Sequence, residues 1–116
     1  MKKFIISIAS VLVLISCSLQ SNTIIKPYES FVLGNNQHGR FNVKLTNLSP
    51  NAVEVYNAPV GGGKHSFQTV KPNKRLTLKV DKNTALVIDN KSADTANVQL
   101  HVTGDVGLSM GYKYGQ

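Results

Sequence analysis

Cysteine is nearly absent from this sequence, whose 116 residues include only one, Cys17. A single cysteine excludes an intramolecular disulfide, so a hydrophobic core must hold the fold together. Tryptophan is absent and aromatic residues make up 7% of the chain, which disfavours a platform that stacks on sugar rings. A content of 41% hydrophobic and 16% charged residues is nevertheless typical of a globular chain, and the length allows one domain.

Acidic residues are also scarce. Six acids stand against thirteen Lys and Arg residues, which gives a formal net charge of +7; without Lys2 and Lys3 the balance is 11 to 6, or +5. An excess of positive charge favours anionic partners such as phospholipid headgroups, lipopolysaccharide or nucleic acid. The charges are scattered rather than run together, so solubility is the simpler interpretation.

Residues that could carry chemistry are few. Most acids lie in predicted turns, where Asp commonly bonds its own backbone, and no nucleophile with a neighbouring base can be assigned. We therefore predict no catalytic residues and no enzyme activity. The three histidines are separated by 27 and 36 residues, which matches no metal-ligand motif, and we predict neither a metal nor another cofactor. They are His38, His65 and His101.

The N-terminus has the pattern of an export signal. A positive start, Met1-Lys2-Lys3, precedes 13 uncharged residues from Phe4 to Ser16. As a helix this segment would be about 20 Å long at roughly 1.5 Å per residue. It is too short for a hydrocarbon core of about 30 Å. The pattern predicts a helical, cleaved signal peptide over residues 1–16 rather than a transmembrane helix.

The segment ends in Leu14-Ile15-Ser16-Cys17, which resembles the lipobox of bacterial lipoproteins. The resemblance covers only the first 17 residues. It implies that diacylglycerol alkylates the Cys17 thiol, that cleavage precedes Cys17, and that an acyl chain such as palmitate is added to the new amino group. An ordinary signal peptide with a chance cysteine is the alternative. Because residues 18–23 contain no acid, the resemblance implies a cell-envelope protein in the outer membrane that faces the periplasm.

The mature chain shows a hydrophobic period of two rather than 3.6. Residues 17–27 are predicted to be the lipidated cysteine and a flexible tether, and 28–116 one all-β domain. Eight alternating or apolar segments between Tyr28 and Tyr114 are separated by turn-forming residues. They predict a small antiparallel β-sandwich of about seven or eight strands, with a small barrel as the alternative.

Two weaker site predictions concern loops and strand ends. Five basic residues lie close together in the sequence and predict an edge for an anionic ligand; the alternative is a hairpin with solvated, positively charged ends. They are Lys64, His65, Lys71, Lys74 and Arg75. The triplet Asp94-Thr95-Ala96 resembles a bacterial O-glycosylation site, which implies a sugar on Thr95, or else a turn that leads into a strand.

These observations favour two functions. The first is a membrane-anchored envelope lipoprotein that serves as a non-enzymatic binding or structural module for a protein or another envelope component. The second is a binder of anionic polymer or lipid headgroups through the edge from Lys64 to Arg75. Export removes nucleic acid as an expected partner, and the lipid anchor makes the membrane an expected one.

Overall fold

The computed structural model describes residues 18–114, which form nine β-strands and no helix. None of these residues belongs to a helix long and apolar enough to cross a membrane. The predicted signal helix lies outside the described residues. The strands are β1 Ser18–Ile25, β2 Glu29–Leu33, β3 Phe41–Asn47, β4 Val53–Pro59, β5 His65–Val70, β6 Arg75–Val80, β7 Thr84–Asp89, β8 Ala96–Gly104 and β9 Met110–Tyr114.

The strands form two antiparallel sheets that pack face to face. A four-stranded sheet has the order β1-β8-β3-β6, and a five-stranded sheet the order β5-β4-β7-β2-β9. The predicted all-β sandwich is confirmed, with nine strands rather than seven or eight. Each of the eight segments predicted between Tyr28 and Tyr114 coincides with one of the strands β2 to β9.

Strict alternation builds the core between the sheets. In β3, Phe41, Val43 and Leu45 are at most 1% exposed, whereas Asn42 and Lys44 between them face solvent. Side chains in a strand alternate between its two faces, so this pattern directs one face inward. Each such aliphatic or aromatic side chain contributes about 1.5–3 kcal/mol to stability when it is fully buried. Burial between the sheets is thus a main source of stability in a chain that has no pair of cysteines.

The ninth strand comes from the segment that was predicted to be a tether. Ser18–Ile25 pairs with β8 in an unbroken register from Ser18↔Thr103 to Ile25↔Ala96. Its side chains at alternate positions are increasingly buried towards the far end, where Thr23 and Ile25 are at most 4% exposed. The tether prediction is therefore wrong for residues 18–25, because backbone pairing and inward burial offset the low hydrophobicity of this stretch.

The turn Lys71–Lys74 also differs from expectation. The alternative given above for the five basic residues was a hairpin with positively charged ends, but β5 and β6 belong to different sheets, so the turn crosses the sandwich edge. The Lys74 N–H donates to the Lys71 carbonyl at 3.1 Å, and Asn73 has φ of 65°. Pro at the second position with a positive φ at the third is typical of a type II turn.

A buried amide fastens the end of β3. Asn47 is fully buried; its Nδ2 donates to the carbonyls of Asn51 and Val70, each at 2.9 Å, and its Oδ1 accepts the Ser49 N–H at 2.9 Å. Val70 ends β5 in the other sheet, so this side chain joins the two sheets. Buried polar groups are costly when their partners are removed.

We therefore expect Asn47→Ala to lower the free energy of unfolding by about 3 kcal/mol, since several buried groups lose their partners. The measurement is urea denaturation followed by circular dichroism. The matched control is Asn42→Ala on the solvent-facing side of the same strand, with an expected change within about 0.5 kcal/mol. Equal effects of the two substitutions would contradict a structural role for the Asn47 amide.

An ionised carboxylate organises the connection that follows β8. Asp105 accepts hydrogen bonds from the N–H groups of Gly39, at 2.6 Å, and Gly107, at 2.9 Å. These two bonds hold the pKa of the Asp105 carboxyl below its usual value. The Asp105 N–H in turn donates to the Arg40 carbonyl at 3.0 Å. The carboxylate therefore joins the loop before β3 to the segment that leads to β9.

This arrangement predicts a pH-dependent contribution to stability. Because the Asp105 pKa is lower in the folded than in the unfolded chain, its contribution is fully present above about pH 4. It is lost as the pH falls through the folded-state pKa. We expect Asp105→Asn to be less stable than the parent at neutral pH and to approach it in acid, as measured by urea midpoints across the pH range. A difference that does not change with pH would disprove this linkage.

Candidate functional site

The outer surface of the four-stranded sheet collects basic side chains from three strands. Lys44 of β3 lies directly opposite His101 of β8, and Arg75 of β6 lies opposite Thr46 of β3. Side chains at directly opposite positions have Cβ atoms about 5 Å apart, and diagonal neighbours lie about 7–8 Å apart. Lys79 of β6 is opposite the outward Asn42 of β3. We call the outward residues Lys44, Arg75, Lys79 and His101 the basic face.

Negative charge is missing from this sheet. The strands β1, β3, β6 and β8 contain no Asp or Glu, whereas β2, β4 and β7 of the other sheet contain Glu29, Glu54 and Asp89. Within residues 18–114 the ion pairs are Arg40–Asp81 and Lys91–Glu54, and neither includes a residue of the basic face. The basic face therefore presents positive charge that no carboxylate of the described chain neutralises.

The acidic side chains of the five-stranded sheet bind partners within the protein. The Lys91 Nζ lies 2.8 Å from Glu54 Oε1, and this hydrogen bond and charge raise the pKa of Lys91. The Ser30 hydroxyl donates to Asp89, and both residues are buried. Buried Glu29 accepts the Lys26 N–H at 3.3 Å. The carboxylates of the five-stranded sheet thus bind partners within the protein, whereas the cations of the four-stranded sheet are exposed to solvent.

A depression of about 580 Å³ lies within the basic face. Amide side chains from two strands join the cations there, since Gln20 is opposite His101 and Asn22 is opposite Gln99. Arg and Lys bind phosphate, sulfate and carboxylate oxygens, and amides donate to and accept from hydroxyl groups. The lining residues are Gln20, Ser21, Asn22, Lys44, Thr46, Arg75, Gln99, Leu100 and His101. The arrangement suits a ligand that has both negative charges and hydroxyl groups.

The predicted edge from Lys64 to Arg75 is divided by the fold. Lys64 and His65 precede or begin β5, and Lys71 and Lys74 lie beyond its other end. His65 and Lys71 are six residues apart along the strand direction, or about 20 Å at roughly 3.4 Å per residue. The Lys64 Nζ lies 5.0 Å from the centroid of the Tyr56 ring on the five-stranded sheet. Of the five predicted residues, Arg75 alone lines the depression in the basic face.

A second, more apolar groove lies on the outer surface of the five-stranded sheet. Its volume is about 640 Å³, and its floor includes Val32, Tyr56 and Val87, which are 5–8% exposed. Phe67 contacts Tyr56 with ring centroids 4.9 Å apart, and Lys64 covers the same ring from the groove wall. These contacts explain the burial of an outward-facing tyrosine without a third layer of structure.

The histidines do not converge. His38 is buried, its Nε2 lies 2.9 Å from the Thr84 carbonyl oxygen, and its ring packs against Phe41 with centroids 5.1 Å apart. His65 is exposed on β5, and His101 lies on the opposite sheet. Across residues 18–114 no three His, Cys, Asp or Glu side chains are grouped so that they could hold a metal ion.

The two predicted modification sites lie in different parts of the chain, and both modifications stay predictions. Cys17 lies outside the described residues, so its lipidation stays a prediction. Thr95 is exposed immediately before β8, while the neighbouring Asp94 accepts a hydrogen bond from Asn51 Nδ2 at 2.7 Å. The Thr95 hydroxyl is therefore accessible, and its glycosylation also stays a prediction.

Sequence reasoning missed most of the basic face. Lys44, Lys79 and His101 occupy polar positions in three separate strands, β3, β6 and β8. Their proximity depends on the strand order β8-β3-β6, in which no two neighbours are consecutive in the chain. The available signal was the absence of acids from the polar positions of these same strands.

Comparisons with known proteins add one structural similarity. No family profile matches the chain, and no curated protein matches it. The chain is similar to a crystal structure of the Yersinia pseudotuberculosis-derived mitogen, with 19% sequence identity and a TM-score of 0.46. The match covers 77% of this chain and 86% of that chain.

Proposed function

We propose that this protein is a lipid-anchored component of the bacterial envelope that binds an anionic, hydroxyl-bearing envelope polymer through its basic face. The observation that carries the proposal is the cluster of Lys44, Arg75 and His101 on a sheet without a single acid. The polymer is a saccharide chain with phosphate, sulfate or carboxylate groups, and the role is non-enzymatic.

Anchoring is supported by the sequence around Cys17. The 13-residue uncharged segment and the lipobox-like end resemble those of exported proteins that are cleaved and acylated. One acyl chain binds a membrane reversibly, whereas two or three hold a protein there stably. An anchored binder needs only weak affinity at each site, because the anchor keeps it close to other envelope components.

The geometry favours a polymer over a small ligand. Lys79, Lys44 and Arg75 stand at successive outward positions along the paired strands β3 and β6. Such positions are about 7 Å apart along a strand. A flat row of cations suits a ligand with repeated charges. The amides of Gln20, Asn22 and Gln99 add donors and acceptors for hydroxyl groups beside that row.

The anchor predicts a defined mature N-terminus. We expect mass spectrometry of the protein from cell membranes to find a chain that begins at Cys17 and carries diacylglycerol on its sulfur. The control variant, Cys17→Ala, should no longer be recovered in the membrane fraction that detergent extracts. A free Cys17 thiol, or a soluble protein that retains Met1 to Lys3, would refute the anchor.

The basic face predicts binding that depends on charge and salt. We expect the double substitution Lys44→Glu/Arg75→Glu to weaken binding to an acidic polysaccharide such as polygalacturonate about tenfold, or about 1.4 kcal/mol. The matched control, Lys26→Glu/Lys113→Glu, changes the net charge equally on other surfaces and should bind nearly as the parent does. Binding is measured by fluorescence titration of the full chain.

Salt provides the second readout. Interactions between exposed charges are screened beyond about 8 Å at physiological ionic strength, so the parent affinity should fall steeply as salt rises. Equal losses in the two double variants would assign binding to net charge rather than to the basic face. Affinity that persists in about 0.5 M salt would contradict an electrostatic site.

A further inference from the structure

We propose that the end of the sandwich where β1 begins docks directly on the bilayer, with the loop of residues 60–64 as its second membrane contact. The inference rests on the lipid anchor at Cys17 proposed above. It adds an orientation of the domain and a lipid-binding loop. The occupant of this surface is the headgroup layer of the membrane that holds the anchor.

The anchor residue, Cys17, is followed directly by the first residue of β1. Ser18 is already paired with Thr103 as the first residue of β1, and consecutive Cα atoms are about 3.8 Å apart. A diacylglycerol on Cys17 must therefore lie next to the β1–β8 edge. The sandwich cannot move away from the headgroups without breaking the first pairs of this strand.

A continuous series of hydrogen bonds identifies the loops that share this end. Asp105, just beyond β8, donates its N–H to the Arg40 carbonyl before β3, at 3.0 Å. The His38 carbonyl accepts the Asn83 N–H at 3.1 Å, and the Asn83 carbonyl accepts the Val60 N–H at 3.1 Å. Three strand spacings, about 14 Å, separate β1 from β6 in the four-stranded sheet. The loop after β4 is thus level with Ser18 on the other side of the molecule.

The loop has the chemistry of a membrane contact. Val60 is 85% exposed, more than any other large hydrophobic side chain of residues 18–113, and Gly61, Gly62 and Gly63 separate it from Lys64. Gly62 and Gly63 have φ of 103° and 88°, which glycine adopts without strain. An apolar tip beside a lysine suits the boundary between acyl chains and phosphate groups.

The other charges near these loops balance, with Arg40 and Lys82 against Asp81 and Asp105. Asp105 directs its carboxylate onto two backbone N–H groups, and Asp81 lies 3.9 Å from Arg40. Lys82 is exposed between these loops. The opposite end is also basic, with Lys71 and Lys74 among its residues, so charge alone does not select an end. The position of Ser18 does.

The experiment uses the full, lipidated chain reconstituted into vesicles of phosphatidylethanolamine and phosphatidylglycerol. Alkylation consumes the Cys17 thiol, so Val60→Cys introduces a single site for an environment-sensitive fluorophore. Gly61→Cys is a second reporter, because a Cβ at Gly61 meets nothing within 4 Å. The control is Ala93→Cys, an exposed position in the turn between β7 and β8 at the opposite end.

We expect lipids that carry a quencher at the headgroup to reduce fluorescence at positions 60 and 61 and to leave position 93 unchanged. Lack of quenching at both loop positions in a chain whose Cys17 is alkylated would overturn the docking while the anchor stands. Quenching at position 93 equal to that at position 60 would overturn the orientation. Labelling of the unsubstituted chain would reveal a free Cys17 and remove the anchor as well as the docking.

Discussion

The pairing of β1 with β8 extends over eight consecutive residues, from Ser18 to Ile25, without a break in register. It provides β8 with a second neighbour and buries Thr23 and Ile25 against the core. It also contributes Gln20 and Asn22 to the depression in the basic face. Without this strand, the edge of β8 would present unpaired backbone groups, the depression would lose one wall, and Cys17 would be connected to the domain through a slack segment.

Charge is distributed between the sheets in a way that the overall excess of basic residues does not reveal. The strands of the four-stranded sheet contain Lys44, Arg75 and Lys79 and no acids, whereas those of the five-stranded sheet contain Glu29, Glu54 and Asp89. The carboxylates of the second sheet are bound by Lys91, by Ser30 and by a backbone N–H. Exposed like charges on neighbouring strands disfavour folding slightly. A surface with charges of one sign is what the proposed binding of an anionic polymer requires.

The sequence predicts the local structure well because alternation is a local property. Eight strands and the sandwich class follow from apolar residues at every second position, as in Phe41, Val43 and Leu45. Alternation does not predict β1, since residues Ser18 to Thr23 include one apolar residue, Leu19. The partner strand β8 also lies about 75 residues further along the chain. Alternation fails to predict the basic face for a related reason. Its cations become neighbours through pairings that are distant in the chain, and no local pattern predicts them.

The proposed orientation brings the basic face close to the lipid surface. If Ser18 marks the level of the headgroups, Gln20 and Asn22 stand two and four residues along β1, or about 7 and 14 Å higher at roughly 3.4 Å per residue. Lys79 shares the level of Ser18, Lys44 and His101 share that of Gln20, and Arg75 shares that of Asn22. The Debye length at physiological ionic strength is about 8 Å, so the lower cations feel the charge of the leaflet and Arg75 is largely screened from it. The two ends of the face therefore meet different anions: Lys79 competes for phospholipid phosphates, while Arg75 and the amides around it remain available to a polymer above the membrane. An anionic leaflet then orients the domain without occupying its whole binding surface.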